Sequence, residues 1–163
     1  DPSLSRLVEP RAPSPTKRLA ALGALTQAGV PTHCSIAPVI PAITDDAMEG
    51  IVARSAELGV TFAGWIRLRL PHEVAPLFRE WLETHFPDRK DKVMGIVRSI
   101  RNGRDNDPDF FSRLKPQGVW ADLFRARFRV ACRRAGIGDG KAKFALDCSR
   151  FRAPTTGGQL RLL

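Results

Sequence analysis

The chain has 163 residues, 43% of them hydrophobic and 26% charged, which is enough for a packed core and excludes wholesale disorder. Lys and Arg number 26 against 17 Asp and Glu, a net charge of +9. No run approaches the roughly 18 consecutive apolar residues that a membrane-spanning helix needs.

The first elements are helical. Asp1-Pro2 reads as an N-cap followed by proline at the first helical position, opening a short helix through Leu7. Pro10, Pro13 and Pro15 interrupt it. Ser14-Pro15 repeats the cap signature, and Leu19, Leu22, Leu25 and Ala28 recur at helical spacing until Gly29. Residues 30–37 form a short apolar-rich stretch closed by Pro38 and Pro41, which predicts a strand. Asp46 and Glu49 have the spacing of a capping box, and Met48, Ile51, Val52, Ser55 and Leu58 form the stripe of the helix that follows. Gly59 ends it, and residues 60–70 predict a second strand.

Strand, helix, strand with a crossover of this length predicts a parallel pair with a right-handed connection. Two parallel strands do not make a sheet covered on both faces, so the chain reads as the back half of a larger βα domain. It opens on Asp1 rather than methionine, and its native start is expected upstream.

Beyond Pro71 the character changes. Residues 73–86 predict an amphipathic helix with Val74, Leu77, Phe78, Trp81 and Leu82 on one face. Pro87-Asp88 opens another, carrying Val93, Ile96, Val97 and Ile100, that ends at Gly103. Residues 104–118 predict an irregular loop pinned by Phe110 and Phe111. Residues 119–135 predict a helix whose stripe is Trp120, Leu123, Phe124, Phe128, Ala131 and Cys132. The remainder is loop-rich, with residues 143–147 the extended stretch. The organisation that follows is residues 1–72 as βα units and residues 73–163 as a basic helical extension.

The charge lies at one end. Residues 1–97 hold 11 basic and 11 acidic residues, whereas residues 98–163 hold 15 and 6. Such an excess attracts polyanions or forms a solvated basic face. Arg125, Arg129 and Arg133 repeat every four residues with Arg134 beside them, a ladder suited to phosphates. The three cysteines, Cys34, Cys132 and Cys148, are far apart and odd in number; they argue against a disulfide framework and fit a reducing cytoplasm.

In a βα barrel, alternate strand side chains face the lumen and functional groups gather at the strands' C-terminal ends. His33, Ser35 and Ala37 make a polar face and are the expected lumen side of the first strand; Cys34 lies on the helix side. On the second strand Thr61, Ala63, Trp65, Arg67 and Arg69 share a face. Arginines pointing inward need an anion or carboxylate. Arg69, nearest the C-terminal end, is therefore the preferred ligand contact, with pairing to acidic groups at a rim as the alternative. His33 is either a ligand contact or a hydrogen-bonded interior histidine.

The run Glu9-Pro-Arg-Ala-Pro-Ser-Pro-Thr-Lys-Arg-Leu19, then Ala28-Gly-Val-Pro31, Ala37-Pro-Val-Ile-Pro41 and Leu68-Arg-Leu-Pro-His-Glu-Val-Ala-Pro-Leu-Phe78, resembles the C-terminal half of radical S-adenosylmethionine (SAM) proteins of the spore photoproduct lyase-like, DNA repair photolyase-like group. The resemblance implies an α/β fold: the last two parallel strands of a partial (βα)6 barrel, then a helical C-terminal extension. It implies a 4Fe–4S cluster that reductively cleaves SAM to a 5′-deoxyadenosyl radical. The family's CxxxCxxC cluster motif and its glycine-rich segment are missing, so the cluster ligands are expected in an N-terminal half-barrel and the chain alone is expected to be inactive. Glu9, Arg11, Ser14 and Arg18 are the polar set best placed for the SAM carboxylate and ribose, with Ser14 equally suited to capping its helix. His33, Ser35, Ala37, Pro38, Arg67 and Arg69 complete the implied cofactor set, Ala37 and Pro38 on the adenine side.

The last residues, Gly158-Gln-Leu-Arg-Leu-Leu163, resemble the peptide by which bacterial DNA enzymes dock on the sliding clamp. Gln159 would hydrogen-bond while Leu160, Leu162 and Leu163 fill an apolar cleft; a terminal edge strand is the alternative. Two functions from different classes thus stand: a radical SAM enzyme acting on nucleic acid, and a non-catalytic nucleic-acid-binding or clamp-associated module.

Overall fold

Residues 1–139, 148, 149, 151 and 152 are described by a computed structural model of the chain. They form six α-helices and two strands: α1 (Pro2–Val8), α2 (Pro15–Gln27), β1 (His33–Val39), α3 (Met48–Glu57), β2 (Phe62–Arg67), α4 (Val74–His85), α5 (Lys90–Ser99) and α6 (Val119–Ala135), with a 3-10 turn at Pro87–Arg89. The local chemistry of the termini accounts for α1 and α2. The Asp1 carboxylate accepts the Ser3 N–H at 2.8 Å, the Ser14 hydroxyl accepts the Lys17 N–H at 3.4 Å, and each cap precedes a proline. The capping box expected from Asp46 and Glu49 does not form. Ala47 holds the N-cap of α3 with no side-chain bond, because Glu49 is drawn outward to Arg127 of α6.

β1 and β2 pair in parallel, with Cys34 beside Ala63, Ile36 beside Trp65 and Val39 beside Arg67. Paired residues of a parallel ladder point to the same side of the sheet. Cys34, Ile36, Val39 and Ala63 therefore form one buried face, covered by Met48 and Val52 of α3 and by Phe124, Phe128, Ala131 and Cys132 of α6. Both helices lie on this face. The opposite one, with His33, Ser35, Ala37 and Ile66, is exposed. On its other edge β2 meets the chain emerging from α6: Ala63 donates its N–H to the Gly138 carbonyl, and Gly138 donates to Thr61, both at 2.9 Å. Sheet pairing on β2 thus extends beyond the two expected strands. The strands themselves are shifted or shorter than expected, since His33–Val39 replaces 30–37 and Phe62–Arg67 replaces 60–70.

A second apolar cluster lies past the strands' C-terminal ends. Ile40, Ile43, Leu68 and Leu70 pack with Leu82 of α4 and Val93, Met94 and Val97 of α5, and Leu4 and Val8 bring α1 against them. Residues on both sides of position 72 therefore share both clusters. Several residues of the expected apolar faces are exposed instead: Leu25, Val74, Leu77 and Leu123 are 46%, 40%, 59% and 57% exposed, and Phe110 and Phe111 are 68% and 75% exposed rather than pinning their loop. Among the described residues no helix is long and apolar enough to cross a membrane.

The Glu49–Arg127 pair is the bidentate tie between α3 and α6, at 2.8 and 2.9 Å, and Arg127 also donates to the Asp45 carbonyl at 3.0 Å. Hydrogen bonding from Arg127 holds the Glu49 carboxyl below its ordinary 4.5. A carboxylate with a depressed folded pKa contributes stability that is present above the ordinary value and lost as pH falls through the lowered one. The urea midpoint is accordingly expected to drop between neutral pH and pH values below 4.5, and Glu49→Gln is expected to lower it at neutral pH while flattening that acid dependence. Equal acid sensitivity in both proteins would show that the pair contributes nothing, as partly exposed pairs often do.

Candidate functional site

Arginines crowd the C-terminal end of β2. Arg67 is 4% exposed, and its Nη2 donates to the Arg113 carbonyl in the 104–118 loop. Arg101, just past α5 and also 4% exposed, donates to the Leu68 carbonyl and to the Asp105 carbonyl. Asp105 receives Arg98 at 2.8 Å and also pairs with Arg79. Burial pushes the Arg101 guanidinium down to about 10, helped by repulsion from Arg67 and Arg69 and opposed by Asp107. Burial likewise lowers Arg67, with Asp107 raising it and Arg69 lowering it further.

The loop between these arginines is folded on its own carboxylates. Asp109 accepts the N–H groups of Phe111 and Ser112 at 2.8 Å each, and the Ser112 hydroxyl donates to Asp107 at 2.7 Å. Those bonds hold both carboxyls below their usual range, the Ser112 side chain chiefly for Asp107 and the Ser112 N–H for Asp109. Among the described residues, the buried Nε atoms of Arg67, Arg69 and Arg113 have no hydrogen-bond partner. Buried donors are normally satisfied, so this cluster has spare capacity for an acceptor.

A cavity of about 490 Å³ opens beside β2, bounded by His33, Gly64, Arg67, Leu114, Arg125 and Arg129, with Asp139 the one carboxylate among its described residues. A larger groove of about 890 Å³ between α3 and α6 is walled mainly by Ala53, Ala56, Ala126 and Ala131. It holds the Glu49–Arg127 pair but no orphaned polar atom, so the chemistry favours the smaller cavity.

The residues of the expected cofactor set fall into three places. Glu9 and Arg18 pair with each other, Arg18 also donating to the Pro13 carbonyl at 2.9 Å; Ser14 is occupied as a cap, and Arg11 is exposed. His33, Ser35, Ala37 and Pro38 are exposed on or beside the bare strand face. The His33 ring lies so near Gly64 that a Cβ there would sit 3.0 Å from Nε2. Arg67 does not share that face: the register puts it with Val39 and Cys34 on the helix-covered side, correcting the expectation that it points into a lumen, and Arg69 lies beyond the end of β2. Arg67 Nη2 and the Arg101 guanidinium bond backbone carbonyls of the 104–118 loop and of Leu68, and Arg67 Nε is left without a partner among the described residues.

On α6, Arg125 pairs with Asp122 at 3.1 Å and donates to the Pro116 carbonyl at 2.7 Å, while Arg129, Arg133 and Arg134 are exposed. Gln159, Leu160, Leu162 and Leu163 lie outside the described residues. Cys34 and Cys132 are buried together in the core, where burial above all pushes the Cys132 thiol up to about 11, and Cys148 is exposed. No three His, Cys, Asp or Glu side chains among the described residues gather to hold a metal, so they do not fit an iron–sulfur cluster. Sequence reasoning missed Arg101, Arg113 and Asp107; the alternation of arginines and aspartates over 98–113 was the available signal.

Over 103 residues the chain is 37% identical to an uncharacterized protein of Mycobacterium bovis and to uncharacterized proteins of two strains of Mycobacterium tuberculosis. The match covers 60% of this chain and spans 29% of the length of each relative. No protein-family profile matches the chain. No solved structure matches it either.

Proposed function

We propose that the chain is part of the wall and rim of a partial (βα)6 barrel in a cytoplasmic radical SAM enzyme of the spore photoproduct lyase-like group. The one-sided cover of the sheet carries this reading. α3 and α6 both pack against the Cys34–Ile36 face and leave the His33–Ser35 face bare, as the outer helices of a barrel leave its lumen side. A doubly wound sheet would place helices on both faces.

SAM would supply a radical precursor in such an enzyme, and this chain's part would be to bind and orient it. His33, Ser35 and Ala37 offer polar and apolar contacts on the bare face, and Gly64 keeps the space beside His33 that any side chain would fill. The cluster ligands would belong to the length that the mycobacterial relatives have beyond the match. The three cysteines here are all free, consistent with a reducing compartment.

The test is the complete gene product, reconstituted anaerobically with iron and sulfide and supplied with SAM and a reductant. Reductive release of 5′-deoxyadenosine is expected, with the KM for SAM raised by His33→Ala. A product that takes up no iron, or that never releases 5′-deoxyadenosine, sinks the reading.

A second reading is favoured by the exposed arginines Arg129, Arg133 and Arg134 on one helix. It makes the chain a basic nucleic-acid-binding module, either within that enzyme or without catalysis, with a sliding clamp as a further partner through the C-terminal peptide. Its signature is affinity that falls linearly on a log–log plot against salt.

A further inference from the structure

The 104–118 loop combines exposed apolar rings with an ordered backbone. Phe110, Phe111 and Leu114 are 68%, 75% and 59% exposed. Their backbone is nevertheless tied at several points: to Asp109 by two N–H bonds, to β2 through Arg67 and the Arg113 carbonyl, and to α6 through Arg125 and the Pro116 carbonyl. Water disfavours such rings, and a loop free to rearrange would bury them.

The two rings stand perpendicular, 87° apart with centroids at 5.5 Å, and the Arg113 guanidinium lies 4.7 Å from the centre of Phe110. One face of Phe110 is thereby taken, and Phe111 is the freer platform. Asp107 and Asp109 precede the rings in sequence and are engaged by Ser112, whereas Arg113 and Lys115 follow them, and Leu114 bounds the same cavity as Arg125 and Arg129. The Arg129 side chain makes no hydrogen bond or ion pair with the described residues, and the Arg67 Nε is also unpartnered among them. The carboxylates nearby are Asp107 and Asp109, both engaged inside the loop by Ser112; Asp122, paired with Arg125; and Asp139 at the cavity.

We propose that the 109–116 loop and the basic face of α6 form one surface for single-stranded nucleic acid, a base stacking on Phe111 while Arg129 and its neighbours hold the adjoining phosphates. Exposed aromatic faces beside a basic track suit unpaired bases, since every base has a face to stack and a duplex hides it. The inference rests on the nucleic-acid reading above and adds to it the single strand and the ring that recognises it.

The experiment is fluorescence anisotropy of the full chain with a labelled oligothymidylate of about 12 nucleotides, beside a duplex of the same length. Phe111→Ala is expected to weaken single-strand binding about tenfold while leaving duplex binding nearly unchanged. Phe111→Trp is expected to retain it. Arg129→Ala is expected to weaken both and lower the salt slope by about one. Single-strand binding indifferent to Phe111→Ala, or an equal loss on both forms, overturns the stacking inference while the nucleic-acid reading survives. A chain that binds neither form at low salt overturns both. Self-association abolished by Phe111→Ala, without nucleic-acid binding, would assign the rings to a second copy of the chain and overturn the proposal.

Discussion

Phe124→Ala is expected to lower stability by about 3–5 kcal/mol, the cost of deleting a buried phenyl ring whose site cannot collapse. Phe124 is 1% exposed and sits where α6 meets the sheet. Trp65 of β2 meets it edge-on with centroids 4.6 Å apart, and Trp120 stacks on it at 5.2 Å. Both indoles are covalently fixed on rigid elements, so neither can swing in to fill the space. Against a typical total of about 5–15 kcal/mol, this loss brings the chain close to unfolding. Urea titration followed by tryptophan emission checks it, because Trp65 and Trp120 report on this cluster while Trp81, packed with Phe78 and Phe86, reports on the other. A loss below about 1 kcal/mol would mean that α6 is not what closes this face of the sheet.

Arg101→Met should cost about 2–4 kcal/mol and release the 104–118 loop. Two effects oppose each other. Methionine removes a charge that burial and the nearby Arg67 and Arg69 both disfavour, since Arg101 is held down at about 10. With the folded pKa below the unfolded one, the guanidinium opposes folding at every pH below about 10, and that opposition fades only as pH rises through it. Against this gain, the buried Leu68 carbonyl and the partly buried Asp105 carbonyl lose their charged donor. Orphaned acceptors decide the balance, because each keeps its desolvation penalty. Arg101→Lys is also expected to fail, as an ammonium does not reproduce a fork reaching two carbonyls. Hydrogen exchange across 104–118 would rise sharply in both variants and stay low around α3. Unchanged exchange in the loop would leave Arg101 without its anchoring role, and Phe111 without a fixed base.

Much of the helical framework was legible locally. Residues 119–135 as a helix, with Phe124, Phe128, Ala131 and Cys132 inward, follow from a 3.6-residue period alone, and the caps at Asp1 and Ser14 from chemistry within three residues. The exposed arginines of α6 were visible as the complement of that stripe. Leu123 was misplaced because an apolar residue at the margin of a stripe packs only if a neighbour reaches it. Glu49 had the spacing of a cap, but its partner proved to be Arg127, 78 residues away. The cofactor residues grouped by the resemblance were scattered by the fold, Glu9 and Arg18 onto each other and Arg67 onto the far side of the sheet.

By itself the sequence determined the order of elements, most of the apolar stripes of α3, α5 and α6 and the concentration of positive charge in the last third. Each of these depends on residues a few positions apart. Tertiary structure alone decided which face of β2 turns toward the helices, because a strand's period of two offers two equivalent faces and only the register with β1 selects one. It also decided the fate of Arg67 and Arg101, whose acceptors lie 46 and 33 residues away along the chain and are brought within reach only by packing.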